Sequence, residues 1–222
     1  FESFVRQNGL VFWSKDKVAF DAPESVDALE FWLRMVKACA MPSASTWQSS
    51  ANDFMAGRTA MLYHSTGSMT NILKSASFPV GVAPMPKNKM LGSTMGGGPI
   101  LIAKNQPDAH KRAAWTFARW MTNTANQAQW CIDTGYLAAR KSSWKTPALE
   151  AHVAKVPESR TAFVTAEVAG AFLQVPGYHK VRSHLQSAID RTLAGEVKPD
   201  AALREATAKP NPEIQRLLRR RA

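Results

Sequence analysis

Three short stretches carry the residue types from which a binding surface is built. Ser65-Thr66-Gly67-Ser68 places small hydroxyl side chains and a glycine between an apolar run and a helical one. Backbone N–H groups at such a helix start lack intrahelical partners and favour anions and hydroxyl-rich ligands. Gly96-Gly97-Gly98-Pro99 leads into the apolar run Ile100–Ala103, where glycine allows either a close approach of backbone to a ligand or a hinge. Asp133-Thr134-Gly135-Tyr136 closes a helical segment on a glycine suited to a left-handed cap and sets an aromatic ring just beyond it. Each stretch also has a plain structural reading: Tyr136 packing into core, the triple glycine as a flexible lead into a strand.

Catalytic signatures are missing. There is no G-x-S-x-G elbow, no H-E-x-x-H, no D-x-D-x-D-G calcium loop and no Cys/His zinc spacing. The glycine run is not a phosphate loop, because the strand follows it and no Gly-Lys-Ser/Thr enters a helix. His179 and His184 are five apart, off the spacing that puts two ligands on one helix face. Cys39 and Cys131 form no framework and are expected to be free, buried thiols. No enzyme activity, metal or cofactor is therefore expected, although two carboxylates of a glycosidase can meet in space without a local signature.

The 222 residues carry 28 Lys and Arg against 17 Asp and Glu, a formal charge of +11, which suits a nucleic acid or a small anion. The basic residues are scattered, except for Arg216, Arg219, Arg220 and Arg221. That cluster reads as a solvated, dipole-compatible helix end, so no nucleic-acid partner is expected. With 45 % hydrophobic residues the chain can build a core, and no window has the roughly 18 uninterrupted apolar residues of a membrane span. The chain begins at Phe1 without a leader pattern, which reads as a removed leader or a piece of something longer.

Around these stretches the periodicity places the elements. Asp21-Ala22-Pro23-Glu24 reads as a capping box for a helix over 23–40, with Val26, Leu29, Leu33 and Val36 on one face. Asp53 to Ala56 predicts a short helix ended by Gly57, and 59–63, 78–84 and 100–103 are apolar enough for short strands. Helices are predicted over 68–76, from Pro107 through Met121, and over 124–134. Trp115, Trp120 and Trp130 are read as packing residues. The segment 142–170 is helical with interruptions at Pro147 and Pro157. Val181, Leu185, Ile189 and Leu193 recur in steps of four to Gly195, and 199–208 and 212–221 complete a helical C-terminal third.

Taken in order, Gly57 to Met61, Ser65 to Ser68, Phe78 to Pro86, Gly96 to Gly98 and Trp130 to Arg140, followed by Pro176 to Arg182, form a series that resembles the extracellular solute-binding proteins of ABC importers. This is the family of the maltose-binding protein, and the resemblance is nearest to its glycerol-3-phosphate-binding branch. It implies an α/β, periplasmic-binding-protein-like fold of type II with two lobes, of which this chain holds mostly the C-terminal one. Residues 1–96 would be the first part of that lobe, 97–140 a segment of the N-terminal lobe, and 141–222 the helical second part of the C-terminal lobe. Carried over residue by residue, ligand contacts fall on Ser65, Thr66, Gly67, Ser68, Gly97, Tyr136 and Arg182. The guanidinium of Arg182 offers a fixed fork of donors for phosphate. The sequence departs from the family at Ala138, where a proline is usual, and at Met69, where the branch has an aromatic. The implied function is capture of a phosphorylated polyol, glycerol 3-phosphate or a glycerophosphodiester, by a periplasmic, monomeric protein that serves the permease of an ABC importer and whose full length carries a signal peptide. A neutral-sugar binder of the same family is the alternative, and a basic nucleic-acid-binding module ranks below it.

Overall fold

The computed structural model describes residues 1–14, 16–44 and 46–219. In chain order the elements are α1 (Glu2–Gln7), β1 (Trp13–Ser14), β2 (Lys17–Val18), α2 (Pro23–Lys37), α3 (Trp47–Met55), α4 (Met69–Ser75), β3 (Ser93–Met95), α5 (Asp108–Met121), α6 (Thr124–Thr134), α7 (Pro147–Lys155), α8 (Thr161–Ala166), β4 (Ala169–Ala171), α9 (Tyr178–Leu193), α10 (Pro199–Ala208) and α11 (Asn211–Arg219). β1 and β2 pair antiparallel, and β3 and β4 pair parallel with Ser93 opposite Ala169. The helical C-terminal third is as expected. Arg220 and Arg221 lie outside the described residues.

Two compact units divide the chain. The first comprises 1–46, 85–96 and 168–222, the second 47–84 and 97–167. These units do not coincide with the expected division at 96/97 and 140/141: residues 47–84 and 141–167 gather with 97–140.

The first unit is built on the face of α9 that carries Val181, Ala188, Ile189 and Leu193. With Leu203 and Ala206 of α10, Leu29 of α2, Phe12, Phe20 and Ile214 they form one buried cluster. Phe12 and Phe20 meet edge to face at 4.9 Å, a geometry in which one ring's positive edge faces the other's negative face. The capping box is corrected. Ala22 is the N-cap of α2 and offers no side-chain acceptor. Asp21 instead ties to Thr207 on α10, donating from its N–H and accepting on its carboxylate, each at 3.0 Å. α2 ends at Lys37 rather than residue 40. There Cys39 takes a left-handed φ of 55°, and Cys39 and Ala40 donate to the carbonyls of Val36 and Met35. That pair of bonds is a Schellman closure, here with a non-glycine at the left-handed position. Cys39 is consequently exposed, against the expectation of a buried thiol; Cys131 is free and buried as expected.

In the second unit, α6 packs on α7 and the Lys141–Lys145 turn through Ala128, Cys131, Ala138 and Leu149. The buried polar groups of that cluster's surroundings are hydrogen-bonded. Gln127 donates to Met121 O and accepts from Ala139 N, and Ser143 donates to Thr124 O. The short helix expected from Asp53 begins earlier, at Trp47. The strands expected over 59–63, 78–84 and 100–103 do not form. A strand is stable only when its N–H and C=O groups enter a ladder, and these runs have none among the described residues. Met61 and Leu101 face solvent, 83 % and 85 % exposed, while Phe78 packs edge to face on Phe54. Trp115, Trp120 and Trp130, read as packing residues, are all largely exposed.

Candidate ligand-binding site

The hydroxyl turn and the tyrosine corner meet in the second unit. Residues Thr66–Ser68 form one 3-10 turn capped by Ser65, whose hydroxyl accepts from Gly67 N at 3.1 Å, while Ser68 N donates to Ser65 O at 3.0 Å. The turn is half-buried. α4 follows directly but has only seven residues, and its N-cap Ser68 makes no side-chain capping bond. The helix-terminus contribution anticipated from the sequence is therefore minor: the N–H groups of Gly67, Ser68 and Met69 donate within the turn, which leaves its hydroxyls as the polar groups it presents.

Gly135 is what allows the corner to form. Its φ is 89°, and a Cβ there would lie 2.5 Å from Thr66 O and 2.8 Å from Met69 Cβ, so only glycine lets the end of α6 seat on the turn. Tyr136 N then donates to Thr134 Oγ1, and Thr70 donates to Ile132 O. The Tyr136 ring lies on Gly67, occupying the space a side chain at 67 would take. Its other neighbour is Trp130, ring centroids 6.3 Å apart and planes within 17° of parallel. Tyr136 is 40 % and Trp130 43 % exposed, so the expectation of a core tyrosine fails and an exposed ring pair takes its place. Just before the turn, His64 stacks on Trp47 at 3.8 Å and lies within hydrogen-bond reach of its carbonyl, anchoring that end of the loop.

Of the residues carried over from the family, Ser65, Thr66, Gly67, Ser68 and Tyr136 are thus brought together. Gly97 stands apart in an exposed segment, with no heavy atom beyond its chain neighbours within 4 Å of a Cβ position. Arg182 belongs to the first unit, exposed on α9 beside buried Val181, and no carboxylate pairs with it among the described residues. Trp130, read from the sequence as a packing residue, lies at the margin of the buried face of α6, which Gln127, Ala128 and Cys131 supply. No group of three His, Cys, Asp or Glu side chains suited to a metal gathers among the described residues.

Residues 3–157 match the family model of bacterial extracellular solute-binding proteins. The chain belongs to that family. Its curated relatives include the sn-glycerol-3-phosphate-binding periplasmic protein of Escherichia coli K12, 26 % identical over an alignment of 174 positions that covers 72 % of this chain and 40 % of the relative. The match therefore spans less than half the length of that relative. Among solved structures, it resembles a Mycobacterium tuberculosis homologue in complex with glycerophosphocholine (TM-score 0.79, 20 % identity, 99 % of this chain and 55 % of that one). It resembles equally a Bdellovibrio bacteriovorus maltose/maltodextrin-binding domain bound to maltotriose (TM-score 0.81, 20 % identity, 96 % and 57 %). The fold is that of the type II periplasmic binding proteins, here a helix-rich α/β portion of it. These relatives are solute-binding proteins, not enzymes, of periplasmic or extracellular location.

Proposed function

We propose that the protein is the substrate-binding component of an ABC importer and that its ligand is a phosphorylated polyol, glycerol 3-phosphate or a glycerophosphodiester. The observation that carries the reading is the Ser65–Ser68 turn seated on Tyr136. A compact set of hydroxyls beside an aromatic ring suits a small oxygen-rich ligand. Arg182, exposed and without a carboxylate partner among the described residues, supplies charge for the phosphate. Gly97 serves as a point of close backbone approach in the liganded, full-length protein. In this reading 1–96 and 141–222 belong to the C-terminal lobe and 97–140 to the N-terminal lobe. The full-length protein is a monomeric, non-enzymatic periplasmic protein made with a signal peptide, and it delivers its ligand to the importer's permease.

A neutral sugar is the second reading, favoured by the exposed Trp130–Tyr136 pair and by the maltose-bound Thermotoga maritima neighbour at the same TM-score as the glycerophosphocholine complex. Titration calorimetry of the full-length gene product with glycerol 3-phosphate, glycerophosphocholine and maltose separates the two. Heat with the phosphorylated ligands, weakened about 10- to 100-fold by Arg182→Met as expected for loss of a charge-assisted hydrogen bond, supports the first reading. Heat with maltose alone overturns it. Steeply salt-dependent binding of DNA or RNA would instead revive the nucleic-acid alternative.

A further inference from the structure

A cavity of about 200 Å³ lies in the first unit, between α1 and the residues that leave β4, lined by Glu2, Arg6, Val11, Phe12, Trp13 and Phe172. That exceeds the roughly 150 Å³ that admits benzene and falls short of the roughly 300 Å³ at which sites for drug-sized ligands begin. There is room for one small molecule. The two charged side chains in its wall are largely out of solvent, Arg6 16 % and Glu2 19 % exposed. They stand one turn apart on α1, yet Arg6 Nη2 and the nearest Glu2 oxygen are 3.7 Å apart, too far for a hydrogen bond. Among the described residues the guanidinium donates only to Ala171 O, and its buried Nε has no acceptor. Glu2 accepts from Leu173 N with Oε2, which leaves Oε1 with the long contact to Arg6 alone. Charges held this far from water with so few partners are costly, and a ligand that completes their hydrogen bonds lowers that cost. Gly170 makes the arrangement possible, because a Cβ there would overlap Arg6 Nη1.

We infer that this cavity is a binding site for a zwitterionic α-amino acid with an apolar side chain, its carboxylate on Arg6, its ammonium on Glu2 and its side chain among Val11, Trp13 and Phe172. An α-amino acid carries both charges on one carbon, which matches two opposite charges 3.7 Å apart. A simple anion would meet Glu2 and a simple amine would meet Arg6, so the pair discriminates against each. The apolar wall adds burial for an aliphatic or aromatic side chain. This site goes beyond the solute capture proposed above and uses none of its residues.

Calorimetry of the full-length protein with leucine and phenylalanine tests the site. The controls are 4-methylpentanoate and 3-methylbutylamine, which are leucine without its amino group and without its carboxylate. At least one of the amino acids is expected to bind, with both controls weaker by about 10-fold or more, the scale of one charge-assisted hydrogen bond. Arg6→Met is expected to weaken the amino acid by a similar factor. Gly170→Ala keeps Arg6 but pushes the flexible end of its side chain aside, and should weaken the amino acid as well. Both variants are expected to keep glycerol 3-phosphate within about 2-fold. No heat with either amino acid, equal binding of a control, or undiminished binding by both variants overturns the inference. Losses that extend equally to glycerol 3-phosphate would make Arg6 a structural residue and overturn it too. Amino-acid binding by a protein that gives no heat with glycerol 3-phosphate, glycerophosphocholine or maltose would support the cavity while overturning the proposed function.

Discussion

The two units bury themselves differently. In the first, α2, α9 and α10 converge on fully buried Leu29, Leu203 and Ile214 with Phe12 and Phe20 locked edge to face. In the second, the cluster around Leu149 draws on α6, α7 and the stretch between them, and Met61, Leu101, Trp115 and Trp120 face solvent. The contrast shows what each kind of sequence needs. Amphipathic helices bury their apolar faces on one another even across the chain, as α2 does on α9 and α10, whereas apolar runs with strand character stay open when no ladder receives them.

Hydrogen exchange gives the largest expected contrast. The amides of Ile189 and Leu203 are expected to be protected about 1000-fold more than that of Phe117 on exposed α5, because opening α9 or α10 breaks the main core and fraying α5 does not. Equal protection would dissolve the distinction between the units. Next come paired core truncations. Leu203→Ala is expected to cost about 3 kcal/mol in denaturant unfolding and Leu149→Ala about 2, at the low end of the range, since a small cluster collapses more readily onto the space left. A larger loss at Leu149 would show that the second unit's core governs stability.

Gly135→Ala is expected to cost about 2 kcal/mol, combining left-handed backbone strain with the clash against Thr66 and Met69. It should also change near-ultraviolet circular dichroism as Tyr136 leaves Trp130, and an unchanged spectrum would mean the corner is not held by the glycine. The smallest effect is a slope rather than a level. Burial raises the Glu2 carboxyl above its ordinary range, opposed by the Leu173 N–H it accepts from and by the charge of Arg6. The native state then binds this proton more tightly than the unfolded chain. Its contribution to stability is fully present below the ordinary value of about 4.3 and lost as pH rises through the raised native value. Glu2→Gln is expected to flatten the stability curve over that interval, and an unchanged slope would assign the pH dependence elsewhere.

What the sequence made legible follows the same division. α10 falls at its expected residues, α9 ends at Leu193, just before the expected stop at Gly195, and the glycine-closed end of α6 is where its motif put it. All of these depend on contacts within a few residues. The runs 59–63, 78–84 and 100–103 have strand composition without strand structure, because pairing is decided by segments far away in sequence. The site shows the same limit. Ser65 to Ser68 and the Gly135-Tyr136 corner were recognisable separately, but that the ring would lie on Gly67 depended on α4 and α6 meeting. Trp130 was read as packing because apolar aromatic composition alone does not say which side of a helix margin faces water. Cys39 escaped for a backbone reason, the left-handed closure of α2 turning it outward.

Under the proposed function, the Tyr136 ring on Gly67 also sets the terms on which a ligand is admitted. A solute that takes the donors around Gly67 competes with the protein's own side chain for that surface. Its measured dissociation constant is then the intrinsic one divided by the fraction of molecules whose ring has swung clear. A ring that is displaced weakens every ligand alike, while a ring that is retained and stacked upon rewards those that present a face to it, so this one contact acts both as a threshold for binding and as a filter on shape.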